Sequence, residues 1–522
     1  MTMPHPAEPH SRRPSALLAR LSRPETLVLL LPALLKLLLH LAGARGYGLN
    51  GDELYYLACS DHLDWGYVDH PPLSILLLHF DRMLLGDSVV AIRFLPAVAG
   101  ALTVVCTGLL ARRLGAGLYG QLLAMICVLA APVYLALDHM FSMNAFDVLF
   151  WSAALLVFVR ILDGEHPRSW VWLGLIIGIA FENKISILFL ALGLAVGILL
   201  TKKRALLMGP YPWVGAGLAV LLILPNILWQ VQNDWPTLEF IRNALTKKMV
   251  HFALPEFLRQ QLVLMNPFSA PVWLGGLASL FFLPALRRFR ALGWCYLVVC
   301  GVIVYQGGKP YYLAPIYPVF FAAGAFAAGR WITVRWGRIL LASFLIAGGV
   351  LLAPLGMPLL PVETFISYSS AIGIRHSSGE LHAEGRLPDF YATMFGWERL
   401  ATVVDSVYRT LPPEDRARCG IFCQNYMQAG SVDFYGRPMG LPQAICGHNS
   451  YWYWGTHGCT GEVLIVLGGN VAGWKELFAE VNERARFTDE YVQPMHNNIP
   501  IFVVRMPLQP LGPVWLRAKN FI

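Results

Sequence analysis

Charge is the scarce ingredient of this sequence. Asp, Glu, Lys and Arg supply 14% of its 522 residues while 56% are hydrophobic, which excludes an ordinary soluble enzyme, where about a quarter of residues are charged. The marks of nucleotide chemistry are also missing. There is no Walker sequence, and no Gly-rich turn leads from a strand into a helix. The nine cysteines follow no zinc-binding spacing. Cys106, Cys127, Cys295 and Cys300 lie in apolar runs and read as packing residues. Cys419, Cys423, Cys446 and Cys459 lie in a more polar region that permits disulfides without dictating their pairing, and Cys59 makes the number odd. Basic residues outnumber acidic ones, 40 to 32, but they are not gathered into one face or run, which excludes nucleic acid as a partner.

Long apolar runs are what the chain has instead. They recur at roughly 25–44, 89–111, 116–137, 145–162, 169–182, 185–201, 211–230, 267–286, 291–306, 311–329 and 337–357, each a candidate helix across a hydrocarbon core about 30 Å thick. The basic residues fall in every second connection: Arg12 to Arg23, Arg112 and Arg113, Arg160 and Arg168, Lys202 to Arg204, Arg287 to Arg290, and Arg330 to Arg338. By the positive-inside rule this predicts about eleven spans with a cytoplasmic N-terminus. The pattern divides the chain into a cytoplasmic tail at 1–24, a membrane domain at 25–360 and an extracytoplasmic domain at 361–522, within which no membrane-length run occurs. The stretch from Trp170 to Leu200 reads as a hairpin around Glu182, Asn183 and Lys184, since both flanks are basic. A single tilted helix is the competing reading, and it puts the C-terminal domain inside. The first run, Leu27 to Leu41, precedes Ala42-Gly43-Ala44 and has the look of a signal peptide, but it reads better as a retained anchor.

The unusual residues sit in the outer connections. After the first span come Asn50-Gly51-Asp52-Glu53-Leu54-Tyr55-Tyr56 and Asp64-Trp65-Gly66-Tyr67-Val68-Asp69-His70-Pro71-Pro72, rich in acids and in aromatics suited to the headgroup level. Either Asp52 is a helix cap or it is a working carboxylate. The next outer connection holds Asp138, His139, Ser142, Asn144 and, about one turn inside a span, Asp147, at a depth where an acid normally faces a polar cavity or a partner. Glu182 and Lys184 either neutralise one another or serve a site. Further on lie Asp234, Arg242, Lys247, Lys248, His251 and Arg259, then Gly307-Gly308-Lys309-Pro310-Tyr311-Tyr312. Carboxylates and cations on one side of a membrane suit transfer of a sugar from a phosphate-linked lipid. A carboxylate takes the acceptor's proton, and cations stabilise the departing phosphate.

The segments Gly51 to Tyr56, Leu63 to Leu73, Gly86-Asp87-Ser88 with Arg93-Phe94-Leu95-Pro96-Ala97, and Lys309 to Pro315 resemble the GT-C superfamily of polyprenyl-phosphate-dependent glycosyltransferases. The likeness is to the bacterial group related to protein O-mannosyltransferases and lipid A aminoarabinose transferases. It implies an inverting transferase in a bacterial cytoplasmic membrane, working on the outer side with a polyprenyl-phosphate sugar donor and a lipid, glycan or protein acceptor. It further implies Asp52 as catalytic acid or base with Glu53 beside it, and donor-phosphate contacts from Lys184, Arg93 and Lys309, with Tyr312 adjoining. Relatives often carry Asp-Ala at the start of the fourth span. Here that position is Asn144, which leaves the second acidic role between Asp147 and Asp138. A divalent metal ion is compatible with the Asp and His residues, but no tight ligand spacing requires one.

The last third reads as a small α/β domain with strands at Gly420 to Cys423, Val463 to Leu467 and Pro500 to Val504, and helices at Trp397 to Tyr408 and Trp474 to Arg484. Its Gly447-His448-Asn449-Ser450-Tyr451-Trp452-Tyr453-Trp454 segment either contacts the acceptor or docks the domain on the membrane part. Asp69, His70, His448 and Trp452 are the candidates for acceptor or loop contacts. A lipid-linked sugar flippase is the rival from another class, but internal repeats, which such transporters commonly carry, are absent. An inactive scaffold is a third reading, against which the presence of Asp52 counts. The alternation of basic loops predicts that reporters fused after Phe365 are accessible from outside and reporters after Lys203 from inside; a cytoplasmic signal from the Phe365 fusion would refute the eleven-span topology.

Overall fold

The computed structural model describes residues 24–373, 380, 381, 383 and 385–522. Among these, seven helices are long and apolar enough to cross a membrane: Pro24–Gly43, Val89–Arg113, Met143–Leu162, Pro210–Gln232, Pro284–Tyr305, Pro310–Trp331 and Arg335–Gly356. Leu254–Leu264 and Pro267–Phe282, bent by 93°, make an eighth if they count as one span. The other three expected spans are the shorter helices Leu118–Ala130, Ser169–Phe181 and Ile187–Leu199, of 13 residues each, about 20 Å long at 1.5 Å per residue. The run at 116–137 is shortened because Pro132, lacking an N–H, starts a separate helix, Pro132–Leu137. Leu31, Leu35, Val220, Leu221 and Val350 are exposed on the bundle's surface, where lipid is the solvent.

The two ends of the bundle differ in charge. Arg112 donates to the Glu25 carbonyl at 2.8 Å, Arg113 and Arg160 pair with Glu165, Arg288 lies 3.1 Å from Asp163, and Arg338 covers the Tyr119 ring. The basic connections therefore gather at one end. Two hydrogen bonds decide the stretch 169–199. Asn183 donates to the carbonyl of Met143 at 2.9 Å, at the start of the Met143–Leu162 helix, and Lys203 donates to the carbonyl of Leu162 at 2.8 Å, at its end. The chain therefore runs away from the basic end to Asn183 and returns, forming the hairpin.

Helices approach closely where glycine removes the side chain. A Cβ on Gly174 would overlap the Gly215 carbonyl, one on Gly276 the Phe320 carbonyl, and one on Gly324 the Val272 carbonyl. Close backbone approach of this kind is how helices associate where burial from water supplies no drive.

After Pro361 the chain builds a five-stranded sheet of order β2-β1-β3-β5-β4, from β1 (Cys419–Cys423), β2 (Ala444–Cys446), β3 (Val463–Leu467), β4 (Phe478–Phe487) and β5 (Ile499–Pro507). β1 pairs parallel with β2 and β3, while β5 is antiparallel to both β3 and β4. β3 is buried at every residue, as a strand covered on both faces must be. The helix expected over Trp397 to Tyr408 is present as Trp397–Arg409, but the one expected over Trp474 to Arg484 is not. Only Val471–Lys475 is helical, and the following residues form β4. Its spacing suits a helix, but pairing along β5, with Val481 opposite Val504, satisfies its backbone and overrides that local preference. None of the nine cysteines forms a disulfide.

The sheet domain sits on the outer loop. Helix Tyr426–Ser431 crosses helix Gly51–Asp61 so closely that a Cβ on Gly430 would lie 2.8 Å from the Leu54 carbonyl carbon and one on Gly51 2.7 Å from the Met427 sulfur. Gly324→Ala is expected to destabilise the protein by about 1–3 kcal/mol, read as a lower unfolding temperature in detergent. Gly217→Ala, with open space around it, is expected to be neutral to stabilising.

Candidate active site

The sequence Asn50-Gly51-Asp52-Glu53 starts a helix by a capping box. Asn50 is the cap: its Oδ1 accepts from the N–H of Asp52 at 2.9 Å, while Glu53 reaches back to the Asn50 N–H at 2.8 Å. Asp52 is therefore not spent on capping. Its carboxylate accepts a hydrogen bond from the Tyr426 hydroxyl at 3.0 Å and lines a cavity of about 900 Å³.

Glu53 is fully buried, and its oxygens accept from Arg93 Nη2 at 2.7 Å, Arg93 Nε at 3.0 Å and the Phe141 N–H at 2.8 Å. Arg93 also donates to the carbonyls of Ala44 and Gly48 at 2.7 and 2.9 Å and meets His139 Nε2 at 3.2 Å. All three guanidinium nitrogens of Arg93 are thus engaged, and neither Arg93 nor Glu53 lines the cavity. The pair joins the end of the first span, the start of the Phe94–Arg113 helix and the Asp138–Phe141 turn.

The cavity is divided by chemistry. Val133, Leu137, Val263, Leu264 and Leu355 give one part an apolar wall continuous with the spans, and Asp52, Lys248, Lys309, Glu380, Asn425 and His448 give the other a polar one. Lys309 Nζ lies 2.7 Å from Glu380 Oε1, and Lys248 Nζ lies 3.7 Å from the same oxygen. Burial raises the Asp52 carboxyl above its ordinary range, and the Lys248 ammonium opposes that rise. His448 accepts from the Tyr426 N–H at 3.4 Å through Nδ1, and its Nε2 lies 2.8 Å from the Ile522 carbonyl. Burial pushes the imidazole down to about 4, so it is neutral at pH 7.

Lys184 and Asp147 form a second cluster behind the cavity wall. Lys184 Nζ stands 3.3 Å from Asp147, donates to Asn144 Oδ1 at 2.8 Å and lies 5.0 Å from the centre of the Tyr312 ring. Ser186 bonds both Asp147 oxygens at 2.9 Å. Of this cluster only Asn144 lines the cavity, where Tyr311 rather than Tyr312 also appears. Asp138 is paired with Lys36 at 2.8 Å inside the bundle, so neither candidate for the second acid reaches the cavity directly. Asp69 accepts from Tyr55 at 2.8 Å, His70 stacks on Tyr56 at 4.8 Å, and Trp452 donates to the Trp515 carbonyl at 3.3 Å. With Tyr453 donating to the Asn233 carbonyl at 3.2 Å, the aromatic segment docks the sheet domain on the membrane part, and His448 is its member at the cavity.

Lys248, Glu380 and Tyr426 are cavity residues that sequence reasoning did not select. The Lys247-Lys248 pair in an outer loop was the available signal for the first, whereas nothing local marks the other two. Among the described residues no group of three or more His, Cys, Asp or Glu side chains is placed to hold a metal ion.

Comparison with known proteins agrees with this architecture. The model of the dolichyl-phosphate-mannose-protein mannosyltransferase family matches residues 69–229. The lipid A galacturonosyltransferase RgtD of Rhizobium johnstonii is 25% identical over 229 residues, which are 42% of this chain and 48% of that protein. The chain thus spans about half the length of that curated relative. Crystal structures of ArnT from Cupriavidus metallidurans superpose with TM-scores of 0.60 (bound to undecaprenyl phosphate, 14% identity) and 0.58 (apo, 15% identity), each covering 91% of this chain and 97% of the other. The helical membrane bundle with its appended sheet domain is thus the fold of these ArnT structures, and residues 69–229 carry the likeness to the mannosyltransferase family.

Proposed function

We propose that the protein transfers a sugar from a polyprenyl-phosphate donor to a hydroxyl of a lipid, glycan or protein acceptor, with inversion, at the outer face of a bacterial cytoplasmic membrane. The divided cavity carries this reading: its apolar wall suits a prenyl chain, and its polar wall sets a carboxylate beside two lysines. The undecaprenyl phosphate bound to the ArnT relative supports such a carrier, and the name of the rhizobial relative supports a lipid acceptor. The gathering of basic loops at the opposite end supports an outward-facing site.

In this reading the acceptor hydroxyl gives its proton to Asp52 as its oxygen attacks the anomeric carbon. The bond from that carbon to the phosphate oxygen breaks on the opposite face, its electron pair stays on phosphate, and the configuration inverts. Lys309 and Lys248 stabilise the charge that develops on the leaving phosphate, which needs no proton. Tyr426 orients the Asp52 carboxylate. The raised Asp52 carboxyl makes it a better base than a solvated one, because basicity follows pKa. Lys184 and Asp147 act one layer back, setting the position of Asn144.

Glu53 and Asp52 have opposite expected phenotypes. Asp52→Asn keeps the shape and loses the base, so turnover of a purified polyprenyl-phosphate sugar donor is expected to fall by about two to four orders of magnitude with an unchanged unfolding temperature. Wild-type turnover is expected to rise with pH through an acid limb lying above about pH 3.9, the ordinary Asp value, because only the ionised carboxylate accepts a proton. Near-normal turnover of a well-folded Asp52→Asn protein would remove Asp52 as the base. Glu53→Gln leaves Arg93 buried without its counter-charge, and removing one partner of such a pair costs about 3–5 kcal/mol. A clear drop in unfolding temperature is expected; a thermally normal but inactive variant would show that Glu53 is catalytic instead.

A further inference from the structure

Three connections of the sheet domain reach the cavity from one edge of the sheet. Asn425 lies two residues after β1 and His448 two residues after β2, both at the C-terminal ends of parallel strands. Gln493 opens the Pro494–His496 turn that leads into β5, whose Ile501 stands opposite Leu467, the last residue of β3. The order β2-β1-β3 puts the strand that follows β1 on one side of it and the next strand on the other, and ligands of open α/β sheets bind outside the carboxyl ends of the strands at such a reversal. The same turn is tied to the segment that bears Asp52. The His496 ring lies 5.5 Å from the Trp397 ring, and a Cβ on Gly51 would lie 3.0 Å from Trp397 Cζ2.

Most polar groups of this wall are already engaged within the protein. Asn50 donates to Thr393 Oγ1 at 2.7 Å, Thr393 to the Asp389 carbonyl at 2.8 Å and Tyr426 to Asp52, and both nitrogens of His448 are bonded. Gln493 differs from them. It lines the cavity at 6% exposure, and its side-chain amide makes no hydrogen bond among the described residues. Asn425 spends its Oδ1 on the N–H groups of Met427 and Gln428, at 3.1 and 3.0 Å, and its Nδ2 has no partner among the described residues. A buried amide left without a partner is costly, so the occupant of the cavity has to satisfy it. An amide offers both a donor and an acceptor, the two roles that a sugar hydroxyl takes, and it carries no charge to compete with the lysines for phosphate. We infer that this edge of the sheet is a carbohydrate subsite in which the Gln493 amide and the Asn425 Nδ2 hold hydroxyls of a sugar ring, either that of the donor or that of a glycan acceptor. This rests on the sugar-transfer reading above.

The test compares full-length wild type, Gln493→Met and Asn425→Ser in detergent, with thermal unfolding as the folding control. Met has the length of Gln without its amide, and Ser keeps the helix cap without the Nδ2 donor. The ligands are undecaprenyl phosphate alone and undecaprenyl phosphate bearing a hexose, a hexuronic acid or a pentose, of which the one that wild type turns over serves as donor; solubilised native envelope serves as acceptor. If the subsite takes the donor's sugar, both variants are expected to bind undecaprenyl phosphate as wild type does and to lose about tenfold in affinity for the sugar-bearing donor, the effect of one hydrogen bond left unmade. If it takes the acceptor's sugar, donor binding is unchanged and the half-saturating amount of acceptor rises by a similar factor. Equal losses for undecaprenyl phosphate with and without its sugar place the amide on the lipid phosphate and overturn the subsite. Unchanged donor and acceptor constants in a folded Gln493→Met protein show that water satisfies the amide, and also overturn it. Both results leave the sugar-transfer reading standing, whereas a wild type that transfers no sugar from any of the donors defeats both readings. A loss in one variant alone overturns the role of the other residue.

Discussion

Glu53 and Arg93 lie side by side at the end of the bundle away from the basic connections, and the segment that bears Asp52 is tied to that pair. A buried guanidinium or carboxylate is tolerated only when all its hydrogen-bonding capacity is used, and here Arg93 reaches Ala44, Gly48 and His139 while Glu53 reaches Asn50 and Phe141. Holding Glu53 fixes the first turn of the Gly51–Asp61 helix, because Glu53 is half of the capping box. Asp52 is the neighbour of that anchored residue, so its direction follows from the pair without any direct contact. A motif with two adjacent acids thus divides the labour: one is buried and structural, the other faces the cavity.

The sheet domain completes the site instead of merely covering it. Tyr426 supplies the hydroxyl on Asp52, and His448 packs behind Tyr426 at 4.7 Å between ring centres. Gly430 permits the helix bearing Tyr426 to lie directly on Leu54, so the geometry at Asp52 depends on a contact between two regions of opposite solvent preference. The membrane part contributes the apolar wall and the lysines, and the sheet domain contributes hydrogen-bonding groups that a hydrocarbon environment would not tolerate unpaired. A cavity of mixed character at the junction is the physical outcome.

The chain's own residues settled part of this before any fold was known. Hydropathy and the alternation of basic loops determined a helical membrane bundle with its polar residues gathered at one end, because each apolar run must hide its backbone in a helix and each cation must stay out of hydrocarbon. The gathering of Asp52 and Lys309 at the end away from the basic loops was legible for the same reason, as was the hairpin at Asn183, whose flanks are both basic. Spacing alone also made β1, β3, β5 and the Trp397–Arg409 helix visible. Tertiary structure decided the rest. Whether 474–484 is helix or strand depended on an edge of β5 being free to pair with it, which no local pattern records. Whether Arg93 met a phosphate or Glu53 depended on which segments packed at its tip. That Lys248, Lys309 and Glu380 share one point could not be read from spacing, because they are brought together only by the closing of loops far apart in sequence, and a side chain's electrostatic partner is set by that closure and not by its neighbours along the chain.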